Sequence, residues 1–307
     1  MLRALTILAA LSIAGPALSQ TPAGPGGGED APASCHVQVH AAPSAWIIQS
    51  YDPFGNAPSE DTFGVTFTND GTGACRFTPV FRLEQPPFGL ARGTGDPIRY
   101  VLLSLIDSQD VTPRTGLTQP RPAQREILLG PNENKTLLYR LAADADDVKA
   151  AGTFTQEVSL EAQNGELVAI GGTRLVLGLN VLPSARIGLA GAYTLSNGRA
   201  LVDLGELRRG PAPVPLQIRV NSTGRYSLNV SSENAGRLRL GTTEWYVPYS
   251  LAIGGMHVNL SGTDTLAGPT GAGLTREALP IHFVIDDVSG RRAGTYSDVI
   301  SISVTAQ

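Results

Sequence analysis

Phe63, Val65 and Phe67 take every second position, with Gly64, Thr66 and Thr68 between them. Cys75, Phe77, Pro79, Phe81 and Leu83 repeat the pattern against Arg76, Thr78, Arg82 and Glu84. A period of two puts one set of side chains on a buried sheet face and the other in water. The same reading predicts strands over 98–105, 125–129, 136–141, 154–160 and 174–181. It resumes with Val214, Leu216, Ile218 and Val220, set against Pro215, Gln217, Arg219 and Asn221. Tyr226, Leu228 and Val230 follow, and the intervening Ser222-Thr223-Gly224 predicts a β-hairpin. Trp245, Val247, Tyr249, Leu251 and Ile253 predict a strand that ends at Gly254-Gly255. Residues 261–279, rich in Gly and Thr, predict a loop, with strands at 281–285 and 299–304 closing the chain. One segment, 142–151, suits either a short helix or a single turn. The fold class predicted is all-β: two β-sandwich domains of short strands punctuated by Gly, Pro and Asn.

The chain's 307 residues suit two domains, and Pro183-Ser184 marks the predicted boundary, giving domains at 35–183 and 184–307. Ahead of them, Arg3, the apolar run 4–14, Gly15-Pro16 and Ala17-Leu18-Ser19 read as a secretory signal peptide over 1–19. Residues 20–34 (QTPAGPGGGEDAPAS) read as a flexible leader. In an exported chain two cysteines, Cys35 and Cys75, predict one disulfide. The formal net charge is −4, and no basic stripe of the kind that phosphate backbones require is visible, which argues against nucleic acid.

The last stretch reads Ala293-Gly294-Thr295-Tyr296-Ser297-Asp298, then Val299 to Val304 in alternation. With Arg225–Ser232 and Pro248-Tyr249-Ser250-Leu251, it resembles the spore coat protein U domain family, which includes subunits of archaic chaperone–usher pili. The resemblance covers 184–307, the region without cysteine, although many domains of that family carry a disulfide. It implies an immunoglobulin-like sandwich lacking one strand. A chaperone, and then a neighbouring subunit, supplies that strand by β-augmentation.

The residues by themselves leave two readings open, a closed sandwich whose last strand is paired on both sides by the chain's own strands and an open one, and the resemblance favours the open one. A sandwich ending on Ile300, Ile302 and Val304 can leave that strand unpaired on one side. The expected strand-acceptor groove is lined by Ile218, Val220, Leu228, Val230, Ile300, Ile302 and Val304. The Pro- and Gly-rich leader is a poor ladder strand, so the chain is expected to accept a strand and not to donate one. Hence the reading: a secreted structural adhesion protein, the tip or minor subunit of a chaperone–usher fimbrium at the cell surface. Its partners are a periplasmic chaperone, an outer-membrane usher, the adjacent pilus subunit and a surface glycan or protein receptor. The alternative is a freestanding secreted sandwich that binds glycans or coats the surface.

Candidates for a receptor surface are the aromatic cluster Trp46, Tyr51 and Phe54, together with Phe88 and Arg92 in the irregular stretch 84–97. A second irregular stretch runs over 107–124. No nucleophile elbow, phosphate loop or dinucleotide fingerprint is present. The four histidines are scattered, and Asp144, Asp146 and Asp147 lack the ligand spacing of a calcium loop. No catalytic residue, metal or cofactor is expected.

Overall fold

A computed structural model describes residues 33–114, 124–268 and 273–307. The predicted signal peptide, the leader up to residue 32, and parts of the 107–124 and 261–279 stretches lie outside them. The first ten strands are β1 (Val37–Ala41), β2 (Ala45–Tyr51), β3 (Glu60–Asn69), β4 (Cys75–Leu83), β5 (Tyr100–Ser104), β6 (Gln109–Asp110), β7 (Ile127–Leu129), β8 (Asn134–Ala143), β9 (Gly152–Gln163) and β10 (Ala169–Val181). They form two sheets, in the orders β1-β3-β8-β5-β6 and β2-β10-β9-β4-β7. Every pairing is antiparallel except β10 with β2, which is parallel. The alternating residues read from sequence supply the core: Val65, Phe67, Phe77, Phe81, Leu137, Tyr139, Leu177 and Leu179 are buried between the sheets. Cys35 and Cys75 form a disulfide, tying the segment ahead of β1 to the start of β4.

Segment 142–151 resolves as the end of β8, then a single 3-10 turn, Ala145–Asp147, capped by the Asp144 side chain. The three aspartates do not gather oxygen ligands. Arg99 pairs with Asp144 at 2.8 Å and with Asp147 at 2.7 Å.

Thirteen further strands follow: β11 (Ala185–Gly191), β12 (Thr194–Ser196), β13 (Arg199–Leu201), β14 (Gly210–Pro211), β15 (Leu216–Ser222), β16 (Tyr226–Ser232), β17 (Arg237–Leu240), β18 (Tyr246–Ile253), β19 (Met256–Val258), β20 (Asp264–Ala267), β21 (Thr275–Ile285), β22 (Tyr296–Ser297) and β23 (Ile300–Ala306). One large sheet runs β11-β15-β21-β18-β17-β22, with β14 beside β21 and β19 beside β18. Opposite it stands a small sheet, β20-β16-β23. A second core lies between them, including Ile218, Val220, Leu228, Val230, Val247, Leu251 and Phe283.

Two sequence expectations are corrected here. The predicted hairpin does not exist: β15 pairs with β11 and β21, whereas β16 pairs with β20 and β23. Ser222-Thr223-Gly224 is an arch between opposite sheets. Alternation shows which face of each strand is buried and says nothing of which sheet it joins. The predicted loop 261–279 contains β20 and the first half of β21. Pro280 lies within β21, where the run of partner β18 ends at Ile253, so its missing N–H is tolerated.

The arch also ties the second core to the first. Thr223 is buried, and its Oγ1 accepts from the Ser184 N–H at 2.8 Å and donates to the Leu182 carbonyl at 3.3 Å. The Thr223 carbonyl accepts from the Ala151 N–H at 3.2 Å. Arg186 of β11 reaches Asp52, just past β2, at 3.1 Å. Asp52 is partly buried, which opposes ionisation. Hydrogen bonds from the Phe54 N–H, Ser184 and Arg186 outweigh that and hold its carboxyl below the usual range.

Candidate functional site

Among the described residues β23 has one ladder partner. It pairs in register with β16, from Tyr226↔Ala306 to Ser232↔Ile300. Beyond its ends the Glu233 N–H donates to the Val299 carbonyl and the Gln307 N–H to the Arg225 carbonyl, both at 2.9 Å. In an antiparallel ladder the residues that face the partner alternate. Ser301, Ser303 and Thr305 therefore turn their backbone groups to β16, and Ile300, Ile302, Val304 and Ala306 turn theirs away. Among the described residues no strand pairs with it on that side.

β11 is the matching edge of the large sheet. The Thr223 N–H donates to the Ser184 carbonyl at 2.9 Å and the Ala192 N–H to the Pro215 carbonyl at 2.8 Å. The same alternation leaves the backbone groups of Ala185, Ile187 and Leu189 facing outward. β11 and β23 share no ladder, but their Cα atoms come within 8 Å.

The residues that carry the unpaired backbone also carry the apolar side chains. Ala185, Leu189, Ile300, Ile302 and Val304 are half-buried against the second core, and Ile187 stays 37% exposed. Beneath them Ile218 and Val220 on β15, and Leu228 and Val230 on β16, are buried. The result is an apolar seam with a hydrogen-bonding edge on each side. No ionisable side chain points into it from β11 or β23. Its chemistry is that of an unpaired sheet edge: amides, carbonyls and aliphatic surface, groups that an extended peptide can pair with.

The Gly-Thr-Tyr-Ser-Asp stretch sets the start of β23. The Asp298 carboxylate accepts from the Ser232 hydroxyl at 2.5 Å, the Tyr249 hydroxyl at 2.7 Å and the Asn234 N–H at 3.0 Å. Burial, and then the Asp298 charge, push the Tyr249 phenol well above its ordinary range. Tyr296 turns its hydroxyl onto the Arg292 carbonyl at 2.8 Å. Gly294 has φ +150°, and a Cβ there would lie 2.5 Å from Leu240 Cδ1. At the other end of β16, burial and the Glu277 carboxylate, 2.5 Å away, raise the Tyr226 phenol in the same way.

The structure brings together all seven residues expected to line the groove, four as buried floor and three as rim. It adds Ala185, Ile187 and Leu189, which the sequence reading passed over. Their signal was present: Ala-Arg-Ile-Gly-Leu-Ala-Gly alternates, but it follows a proline and is diluted by glycine.

The receptor candidates are not brought together. Trp46 is fully buried and stacks against Phe63 at 5.4 Å, and Tyr51 is buried as well. Both are core residues and offer no surface, because an aromatic ring of that size on an alternating strand fills the space between sheets. Phe54 and Phe88 are half-buried, the latter 4.8 Å from Tyr100. Arg92 is exposed and donates to the Ala151 carbonyl at 2.7 Å. Among the described residues no group of His, Cys, Asp or Glu could hold a metal, and no helix is long and apolar enough to cross a membrane.

No protein-family model matches the chain, and no curated protein matches it. Among solved structures it is similar to the chaperone–tip adhesion subunit pre-assembly complex CsuC–CsuE from the archaic chaperone–usher Csu pili of Acinetobacter baumannii. Identity is 15%, the TM-score is 0.44, and 88% of this chain and 99% of that one are covered. The CupB6 tip adhesin of Pseudomonas aeruginosa gives 10% identity and a TM-score of 0.37, covering 89% of this chain and 94% of that one. CfaE, the adhesive subunit of CFA/I fimbria of enterotoxigenic Escherichia coli, gives 14% and 0.39, covering 85% and 91%.

Proposed function

We propose that this chain is a strand-accepting subunit of a surface fibre built by the chaperone–usher route, placed at or near the tip. One observation carries the reading: β11 and β23 turn unpaired backbone and apolar side chains toward the same seam. A strand laid along β23 satisfies the outward amides of Ile300, Ile302 and Val304. Its alternate side chains cover Leu228, Val230, Ile218 and Val220. Left open, such an edge invites aggregation, so a protein that keeps one has a use for it.

In this reading a periplasmic chaperone fills the seam first. At the outer-membrane usher the adjacent subunit replaces it. Residues 184–307 are the accepting domain, and residues 35–183 are the presenting domain, carried to the cell surface to meet a glycan or protein receptor. The role is structural and not catalytic.

Thermal unfolding with and without a donor peptide tests this. The peptide is extended, with apolar residues at alternate positions. A ligand at a hundredfold excess over Kd stabilises the native state by about 2.7 kcal/mol. For a chain of this size that is a Tm rise of about 4–5 °C. A shuffled peptide of the same composition without alternation leaves Tm unchanged. Indifference to every alternating peptide refutes the proposal and leaves a freestanding sandwich.

A further inference from the structure

The large sheet has a second face, turned away from the core, and its charge is one-sided. Leu216, Ile218 and Val220 of β15 point inward, so Gln217, Arg219 and Asn221 point outward. The same parity turns out Arg186 on β11, Arg276 and His282 on β21, and Arg237 and Arg239 on β17. Across β11, β15, β21, β18 and β17 these outward positions carry five arginines and no Asp or Glu. That is in a chain whose formal net charge is −4.

The register gathers three of the arginines. Asn221 stands opposite Arg186 on one side and opposite Arg276 on the other. Arg219 lies two residues along from Asn221 on the same face. Strands are spaced about 4.8 Å apart and residues i and i+2 about 6.8 Å apart, so three cationic positions surround one amide within about 7 Å. Arg186 is paired with Asp52, and Arg239 faces Glu244 at 3.5 Å. Arg219, Arg237 and Arg276 are exposed, and among the described residues no carboxylate pairs with them. Arg237 instead lies over the Tyr246 ring, 4.5 Å from its centroid. Like charges on adjacent sheet positions repel, so such a grouping is destabilising until an anion is present.

We infer that this outer sheet face binds an anionic glycan. Arg219, Arg276 and Arg237 take its carboxylate or sulfate groups, and the Asn221 and Gln217 amides take its hydroxyls. Charge complementarity selects the ligand's sign. An amide-bearing sheet face with spaced guanidiniums suits an extended polysaccharide. The face is separate from the seam, because Arg219 and Arg276 point away from the core that the seam borders. The inference therefore stands whether or not a donor strand binds.

The test is calorimetric titration of the full chain with heparin (sulfated), polygalacturonate (carboxylated), dextran (neutral) and duplex DNA. The wild type is expected to bind at least one of the two anionic glycans, more weakly as salt rises, and to ignore dextran. The double variant Arg219→Glu/Arg276→Glu is expected to lose about tenfold or more in affinity. Arg174→Glu, an exposed arginine of the first half, is expected to lose nothing. If the double reversal fails to fold, Arg219→Gln/Arg276→Gln serves, with a smaller loss in the same direction. Failure of both anionic glycans to bind overturns the inference, as does retention of full affinity by the double variants. DNA binding as tight as the glycan's, with the same dependence on Arg219 and Arg276, overturns the choice of a glycan.

Discussion

The Tyr249 hydroxyl donates to the Asp298 carboxylate at 2.7 Å, which links the middle of the large sheet to the residue from which β23 departs. The same carboxylate holds the Ser232 hydroxyl at the end of β16. β16 and β23 are thus pinned by side chains at one end of their ladder, while the far edge of β23 has no ladder partner among the described residues.

Removing that pin should loosen the β23 edge. Asp298→Ala leaves the Tyr249 and Ser232 hydroxyls and the Asn234 N–H without their acceptor, a loss of about 2–4 kcal/mol. Tyr249→Phe should lose about 1 kcal/mol. A double-mutant cycle read by chemical denaturation should show the two losses to be non-additive. Strict additivity would show that the pair does not act together.

Alkaline pH should attack the same place. Burial, and then the Asp298 charge, raise the Tyr249 phenol above its unfolded value of about 10. A raised pKa means that the folded state holds the proton more tightly. The stabilisation is therefore complete below about pH 10 and is lost as pH climbs through the folded value. Tm measured against pH should fall above about pH 10, and more shallowly in Tyr249→Phe. Identical alkaline limbs in the two proteins would contradict this.

Thr223 should matter beyond its size. Thr223→Val keeps the volume but leaves the Ser184 N–H and the Leu182 carbonyl without the hydroxyl at a part-buried joint, a loss of about 1 kcal/mol. Hydrogen exchange should quicken at Ser184. Unchanged exchange there would mean that water replaces the hydroxyl.

Reduction should lower Tm. The Cys35–Cys75 bond closes a separation of 40 residues, worth about 4 kcal/mol in the chain-entropy account. Cys35→Ser/Cys75→Ser should show the same drop and no further response to reductant.

A charge on the rim should separate folding from acceptance. Ile302 is half-buried, so Ile302→Asp should unfold the chain only modestly while abolishing the Tm rise given by an alternating peptide. A full peptide response in that variant would place the acceptor elsewhere.

Much of this protein was readable as a string. Phe63-Gly-Val-Thr-Phe, Leu175-Val-Leu-Gly-Leu and Ile300-Ser-Ile-Ser-Val each declare a strand and its buried face, because a pleated strand has a side-chain period of two wherever it sits. The all-β class and the cysteine pair followed from such local facts. Partnership did not. Whether β16 pairs with β15 or with β23 depends on backbone bonds between residues far apart in the chain, and alternation is blind to them. So the hairpin expected across Ser222-Thr223-Gly224 became an arch, Trp46 went to the core, and β11, glycine-diluted, became a wall of the seam. The lone edge of β23 and the one-signed outer face exist only after folding, since each is defined by what lies beside it. The sequence by itself determined which side chains leave water, and the tertiary structure alone decided which backbone groups were left without a neighbour.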